Sequence, residues 1–157
     1  MPEHAPPFPV LGTMPGTLME TLGITITEAT PERVVATMPV TPAHHQPYGI
    51  LHGGASVALA ETVASFGSSV SVDLGRRHPV GLEINANHVR PVRDGVLTAV
   101  GTPVHKGRST QIWSVEIRDD SGRLVCVSRC TLALVEARAW DGGRPAAQAP
   151  GNEGASD

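Results

Sequence analysis

Residues 46–65 read QPYGILHGGASVALAETVAS. After the paired glycines Gly53 and Gly54, small and aliphatic side chains follow almost without a break: Val57, Ala58, Leu59, Ala60, Val63, Ala64, then Phe66. The spacing predicts a helix from Gly53 to about Val70. Its apolar positions run nearly all the way round, and a helix of that kind is buried. One carboxylate, Glu61, stands in the middle of it. Removing a charge from water without a partner is costly. Solvation in a groove, an ion pair with an arginine such as Arg90, or a chemical task could account for it.

The flanking segments decide what covers this helix. Upstream, MPGTLMETLG (14–23) makes a short helix stopped by Gly23. ITITEATPERVVATMPV (24–40) then reads as a hairpin turning at EATPER, with Val34, Ala36, Met38 and Val40 alternating toward one face. Downstream, DLGRRHP ends the helix and four strands follow. VGLEINANHVR (80–90) sets Leu82, Ile84 and Ala86 against Glu83, Asn85 and Asn87. VLTAVGTPVHKG (96–107), STQIWSVEIRDD (109–120) and LVCVSRCTLALVEA (124–137) come next, with turns at RDG (93–95) and DDSGR (119–123). Strands and helix are segregated rather than alternating. That is an α+β pattern with an antiparallel sheet, curled around one central helix. A single sheet cannot shield such a helix on every side, so its leftover apolar face implies a second subunit.

The core domain predicted in this way spans 14–137. Residues 1–13 are Pro-rich and read as a flexible arm, and 138–157 are Gly/Pro/Ala-rich and read as a disordered tail. The chain has 157 residues, 40% hydrophobic and 17% charged, as expected of one globular domain with a real core. A net charge of −3 gives no general attraction to nucleic acid. No apolar run reaches membrane-spanning length, and the N-terminus lacks the basic and apolar regions of a secretory signal. The expected location is the cytoplasm. Cys126 and Cys130 lie about 13 Å apart along one strand, too far for a disulfide, and read as buried small hydrophobes.

Three sets of residues could carry chemistry. Glu61 shares a helical face with Val57 and Ser65, one turn away on either side. His52 precedes the helix, and Gly53 and Gly54 form its first turn. The first N–H groups of a helix have no internal partner and sit at the positive end of its dipole. A carbonyl oxygen placed there would be polarised, as in an oxyanion hole. Yet Glu61 lies roughly 13 Å of helix rise from His52, so the two ends of one helix cannot grip one small group. They could meet across a two-fold dimer. The third set is HKGRS (105–109), a basic strand-to-strand turn which, with Arg90, suits phosphate groups. An ordinary solvated turn is the alternative. His44, His45 and His52 match no familiar metal-ligand spacing, and no metal is expected.

Taken together, HQPYGILHGGASVALAE, VGLEINANHVRPV, HKGRSTQIW and DSGRLVCVSRCTLALVE resemble the hotdog-fold acyl-CoA thioesterases, in the branch that uses a glutamate. Within it the likeness is to the 1,4-dihydroxy-2-naphthoyl-CoA and enterobactin-proofreading thioesterases. The phenylacetate-pathway and 4-hydroxybenzoyl-CoA enzymes are more distant. The likeness covers about Met14 to Val135. It implies that Glu61 is the catalytic carboxylate, as nucleophile or general base, and that the Gly53 amide polarises the thioester. It also places Gln46, His52 and Ser65 in the active site. Coenzyme A contacts are implied at Gly81, at His88, Val89, Arg90 and Pro91, and at His105, Lys106, Gly107, Arg108, Ser109 and Thr110. The acyl-CoA is substrate, and no separate cofactor is implied. The same resemblance implies a dimer with shared active sites, often paired into a tetramer. A pocket for an aromatic or short acyl group is expected from Val57, Val63, Phe66 and the Pro47–Tyr48 loop. Two other classes fit the residues: an acyl-thioester dehydratase or hydratase pairing His52 with a carboxylate, and a non-catalytic acyl-CoA binder.

Overall fold

A computed structural model describes residues 9–137. The tail from 138 onward and the first part of the arm lie outside the described residues. The elements, in order, are a short helix α1 (Leu18–Thr21), strands β1 (Thr25–Ala29) and β2 (Val34–Pro39), and the long helix α2 (Gly53–Val70). Strands β3 (Arg77–His88), β4 (Val96–Lys106), β5 (Thr110–Arg118) and β6 (Leu124–Glu136) complete the chain. The six strands form one sheet in the order β1-β2-β4-β5-β6-β3, and every neighbouring pair is antiparallel. α2 crosses this sheet and touches all six strands. An antiparallel sheet wrapped about one central helix is the α+β architecture the sequence predicts.

The helix sits close to the sheet because its sheet-facing positions are small. Ser56, Leu59, Ala60, Val63, Ala64 and Gly67 recur at three- and four-residue spacing and are all buried. Trp113 of β5, fully buried, lies beneath Gly67: a Cβ there would come within 2.4–2.6 Å of three atoms of its six-membered ring. The indole Nε1–H donates to Gln111 Oε1 at 3.0 Å, so the polar edge of that ring is satisfied inside the core. Around it Leu97, Ala99, Val115, Ile117 and Leu132 are also fully buried. Each large aliphatic side chain among them contributes about 1.5–3 kcal/mol on burial.

The turns obey their glycines. Gly95 and Gly122 adopt φ of +88° and +74°, the left-handed region that side chains resist, at the RDG and DDSGR turns. At the end of the expected flexible arm, Gly12 is held to β1 by two hydrogen bonds to Ile26, each 2.8 Å. His44 does not point into open loop. It is buried, with Nε2 against the Leu22 carbonyl at 3.0 Å and Nδ1 against Thr41 Oγ1 at 2.9 Å. Cys126 and Cys130 are buried free thiols.

One expectation fails in β3. The strand begins at Arg77, before the predicted Val80, because it pairs with β6 as far as Glu136. Simple alternation then breaks. Gly81 pairs with Leu132 and Glu83 with Thr131, so Leu82 is an extra residue in a β-bulge. Ile84 and Ala86 pack against the core as predicted, but Leu82 is 62% exposed. Inserting one residue reverses the facing of everything before it. Gly81, not Leu82, therefore occupies the helix-facing position.

Candidate active site

Outward from the sheet, α2 presents Gly54, Val57, Ala58, Glu61, Thr62 and Ser65. These line a cavity of about 530 Å³, closed on the other side by Met14, Thr17 and Leu18 around α1. Val57, Glu61 and Ser65 thus share a face, as their spacing requires. Glu61 is half-buried and, among the described residues, forms no hydrogen bond or ion pair. The alternative of a structural salt bridge to Arg90 does not occur. Ser65 borders the same cavity without bonding the carboxylate. The carboxylate oxygen Oε1 lies instead against the backbone of Gly81, where a Cβ would approach it to 2.6 Å. Behind it, burial and then the negative charges of Glu61 and Glu83 push the Cys130 thiol up to about 12. Cys130 is a neutral thiol at physiological pH and no competing nucleophile.

The helix start builds a second, separate cavity of about 360 Å³. Gln46, Ile50, Leu51, Gly53 and Ser56 line it with His88, Val89, Arg90, Pro91 and Val125. His52 is the N-cap, and its Nδ1 accepts the Gly54 N–H at 2.8 Å. The Gly53 N–H, one residue earlier, has no partner within the helix. His88 lies over it, with Nε2 2.8 Å from where a Gly53 Cβ would stand. Gln46 is fixed by a tight loop: its Oε1 accepts the Tyr48 N–H at 2.6 Å and its backbone N–H donates to Ile50 at 2.8 Å. Sequence reasoning missed Ser56. Its hydroxyl is fully buried beside Gly53 and has no hydrogen-bond partner among the described residues. A serine among alanines gave no signal of this.

The basic turn lies elsewhere again. Lys106 and Gly107 line a cleft of about 810 Å³ with Arg76, Arg77, Gln111 and Glu136. Arg77 donates to the Arg108 carbonyl, and Leu134 N donates to Ser109 O at 2.8 Å. Lys106 is already paired with Glu32 and the Pro31 carbonyl. Arg90, by contrast, bonds Leu124 and Val125 at the other end of β6. Nine residues of strand, roughly 30 Å, separate the two places. The single cationic zone expected from Arg90 and HKGRS does not exist within one chain. Antiparallel pairing sends the two strand ends in opposite directions. Two of the expected acyl-pocket contributors also fall elsewhere: Val63 is sealed between helix and sheet, and Tyr48 is 85% exposed away from the cavity.

One chain therefore carries Glu61 on one face of α2 and the Gly53 amide at its start, in different cavities. A six-stranded antiparallel sheet around such a helix defines the hotdog fold. The chain belongs to the thioesterase superfamily, whose model matches residues 48–126. ComA2 of Bacillus subtilis, which bears the name of an esterase, is 53% identical over 78% of this chain and 98% of its own. The 1,4-dihydroxy-2-naphthoyl-CoA hydrolase of Listeria monocytogenes is 44% identical over 77% of this chain and 98% of its own. The crystal structure of a thioesterase from Haemophilus influenzae matches with a TM-score of 0.75 at 46% identity, covering 78% of this chain and 85% of that one. The protein is accordingly a thioester hydrolase. Among the described residues no helix is long and apolar enough to cross a membrane.

Proposed function

We propose that this enzyme hydrolyses an acyl-CoA thioester, with an aromatic or short acyl group, to the free acid and coenzyme A. The observation that carries this is the Glu61 carboxylate on an apolar cavity wall, with no hydrogen-bond or ion-pair partner among the described residues. Glu61 attacks the thioester carbonyl, or removes a proton from the water that does. The Gly53 amide of a partner chain polarises that carbonyl at the positive end of its helix. Gln46 and His52 frame the same end, and Ser65 orients the attack. No cofactor is needed, since a carboxylate and water supply the chemistry.

The shared site follows from the separation of the two cavities. Its support is the edge strand β3, twelve residues long and paired, among the described residues, on one side only. An unpaired edge of that length is a template for a second copy. Two copies joined there also cover the outer faces of their α2 helices, and such dimers can pair again into tetramers. Contacts of the nucleotide then come from different chains: His88–Pro91 beside the Gly53 cavity, and the turn 105–110 from a neighbour. The aromatic acyl group is favoured by the likeness to the 1,4-dihydroxy-2-naphthoyl-CoA hydrolase and by the apolar walls of the Glu61 cavity. The proposed setting is the cytoplasm.

The test is release of free thiol from a panel of acyl-CoAs by wild type and by Glu61→Gln. Release by wild type and its loss in the variant support the reading. A shift in the acyl spectrum without thiol would make the enzyme a hydratase. Saturable binding without either change would make it a binder.

A further inference from the structure

The bulge in β3 locally disrupts the ladder rather than adding to it. It sits on the outermost strand, exposes Leu82 to solvent at 62%, and interrupts the pairing with β6. Its effect falls on Glu61. By inserting one residue it turns position 81 toward α2, and position 81 is the glycine whose absent side chain leaves room for Oε1. With regular pairing, a leucine would face the helix there. With any other residue at 81, a Cβ would stand 2.6 Å from the carboxylate oxygen. That is about 1 Å inside an ordinary contact.

Among the described residues, the only atoms within 4 Å of a Cβ at 81 belong to Glu61: Oε1 at 2.6 Å and the carboxyl carbon at 3.6 Å. Both are at the free end of a side chain held by no hydrogen bond among the described residues. Backbone and core are not in the way. The side chain can swing aside, so crowding here should move the carboxylate and leave the fold intact. At Gly67, by contrast, the obstructing group is the fixed Trp113 ring.

We propose that Gly81, presented by the β3 bulge, is a positioning residue that sets where the Glu61 carboxylate stands. The inference rests on the catalytic reading of Glu61 and differs from the coenzyme A contact that the family resemblance implies at this position. A displacement of about 1 Å of a reacting group costs on the order of 10²-fold in rate.

The experiment compares wild type, Gly81→Ala and Glu61→Ala, using acyl-CoA hydrolysis, thermal melting and solution mass. Gly81→Ala should lose about 10²-fold in kcat, with KM changed less than about threefold and melting temperature and oligomeric mass unchanged. A rise in KM with kcat preserved would overturn the proposal and make Gly81 a substrate contact. Wild-type kinetics would overturn it too. Failure of Gly81→Ala to fold would also overturn it, since the added methyl is claimed to displace only the end of Glu61. The two readings fail separately. If Glu61→Ala keeps wild-type kcat, the catalytic assignment falls. If Glu61→Ala is inactive and Gly81→Ala is not, only the positioning role falls.

Discussion

Gly67→Ala tests the packing that sets α2 on the sheet. The new methyl carbon would lie 2.4 Å from Trp113 Cη2, 2.5 Å from Cζ3 and 2.6 Å from Cζ2. Ordinary carbon contacts are about 3.5–4.0 Å, so the overlap is about 1 Å against three atoms at once. The ring cannot step aside: Trp113 has no exposed surface and its Nε1 is tied to Gln111. The helix must lift, and its other contacts loosen. Overpacking of this kind costs about 1–3 kcal/mol. Against that, replacing an interior helical glycine by alanine gains about 0.8–1.0 kcal/mol. With three ring atoms overlapped at once the upper part of the overpacking range applies, about 2–3 kcal/mol, so overpacking wins and the net loss is about 1–2 kcal/mol. For a domain of this size it appears as a fall in melting temperature of about 3–10 °C by scanning calorimetry. Pairing the change with Trp113→Leu should recover part of the loss, because the two positions share one volume. An equal or higher melting temperature for Gly67→Ala would refute the close approach of helix and sheet.

Other outcomes follow from the same geometry. Arg108→Ala should raise KM for acyl-CoA several-fold with little change in kcat, and should barely affect a pantetheine thioester lacking the nucleotide. Equal effects on both substrates would remove the turn from nucleotide binding. Lys106→Ala should have the smaller effect, since Lys106 is engaged by Glu32, and steady-state kinetics would rank the two. Asp119 is held below its ordinary value of 3.8, first by the Arg123 side-chain hydrogen bond. Its contribution is therefore full at neutral pH and lost as pH falls through the acid range. Asp119→Asn should lower the melting temperature at pH 7, and progressively less as pH falls below 3.8. Cys130, pushed up to about 12 from 9.0, favours folding below pH 9 and loses that contribution as pH rises beyond it. Native protein at pH 8 should resist alkylation at both cysteines until it is unfolded, as mass spectrometry would report.

The helix and turns were readable because local physics writes them plainly. An eighteen-residue apolar helix has a period, and Gly95 and Gly122 mark turns that other residues would strain. The shared face of Val57, Glu61 and Ser65 follows from 3.6 residues per turn alone. The bulge was not readable, because period-two counting cannot register one added residue. It assigned Leu82 to a face that Gly81 occupies. The separation of Arg90 from the 105–110 turn was hidden for a different reason. It depends on β6 lying between β5 and β3, and strand order is a long-range property. His44 was equally opaque: its acceptor, Leu22 O, is twenty-two residues away. The fold was thus legible through its periodicities, and the site only through the resemblance that joins separated residues.

The central claim is that Glu61 of one chain works with the helix start of another. Two inactive variants test it: Glu61→Ala, and one with Gln46 and His52 both changed to Ala. They are mixed under conditions that exchange subunits, and exchange is verified by native mass spectrometry. If sites are shared, each mixed dimer holds one site with every lesion and one with none. Random pairing makes half the dimers mixed, so activity should return to roughly a quarter of wild type. Verified exchange with no recovered activity would mean that each chain carries its own complete site, and would contradict the account.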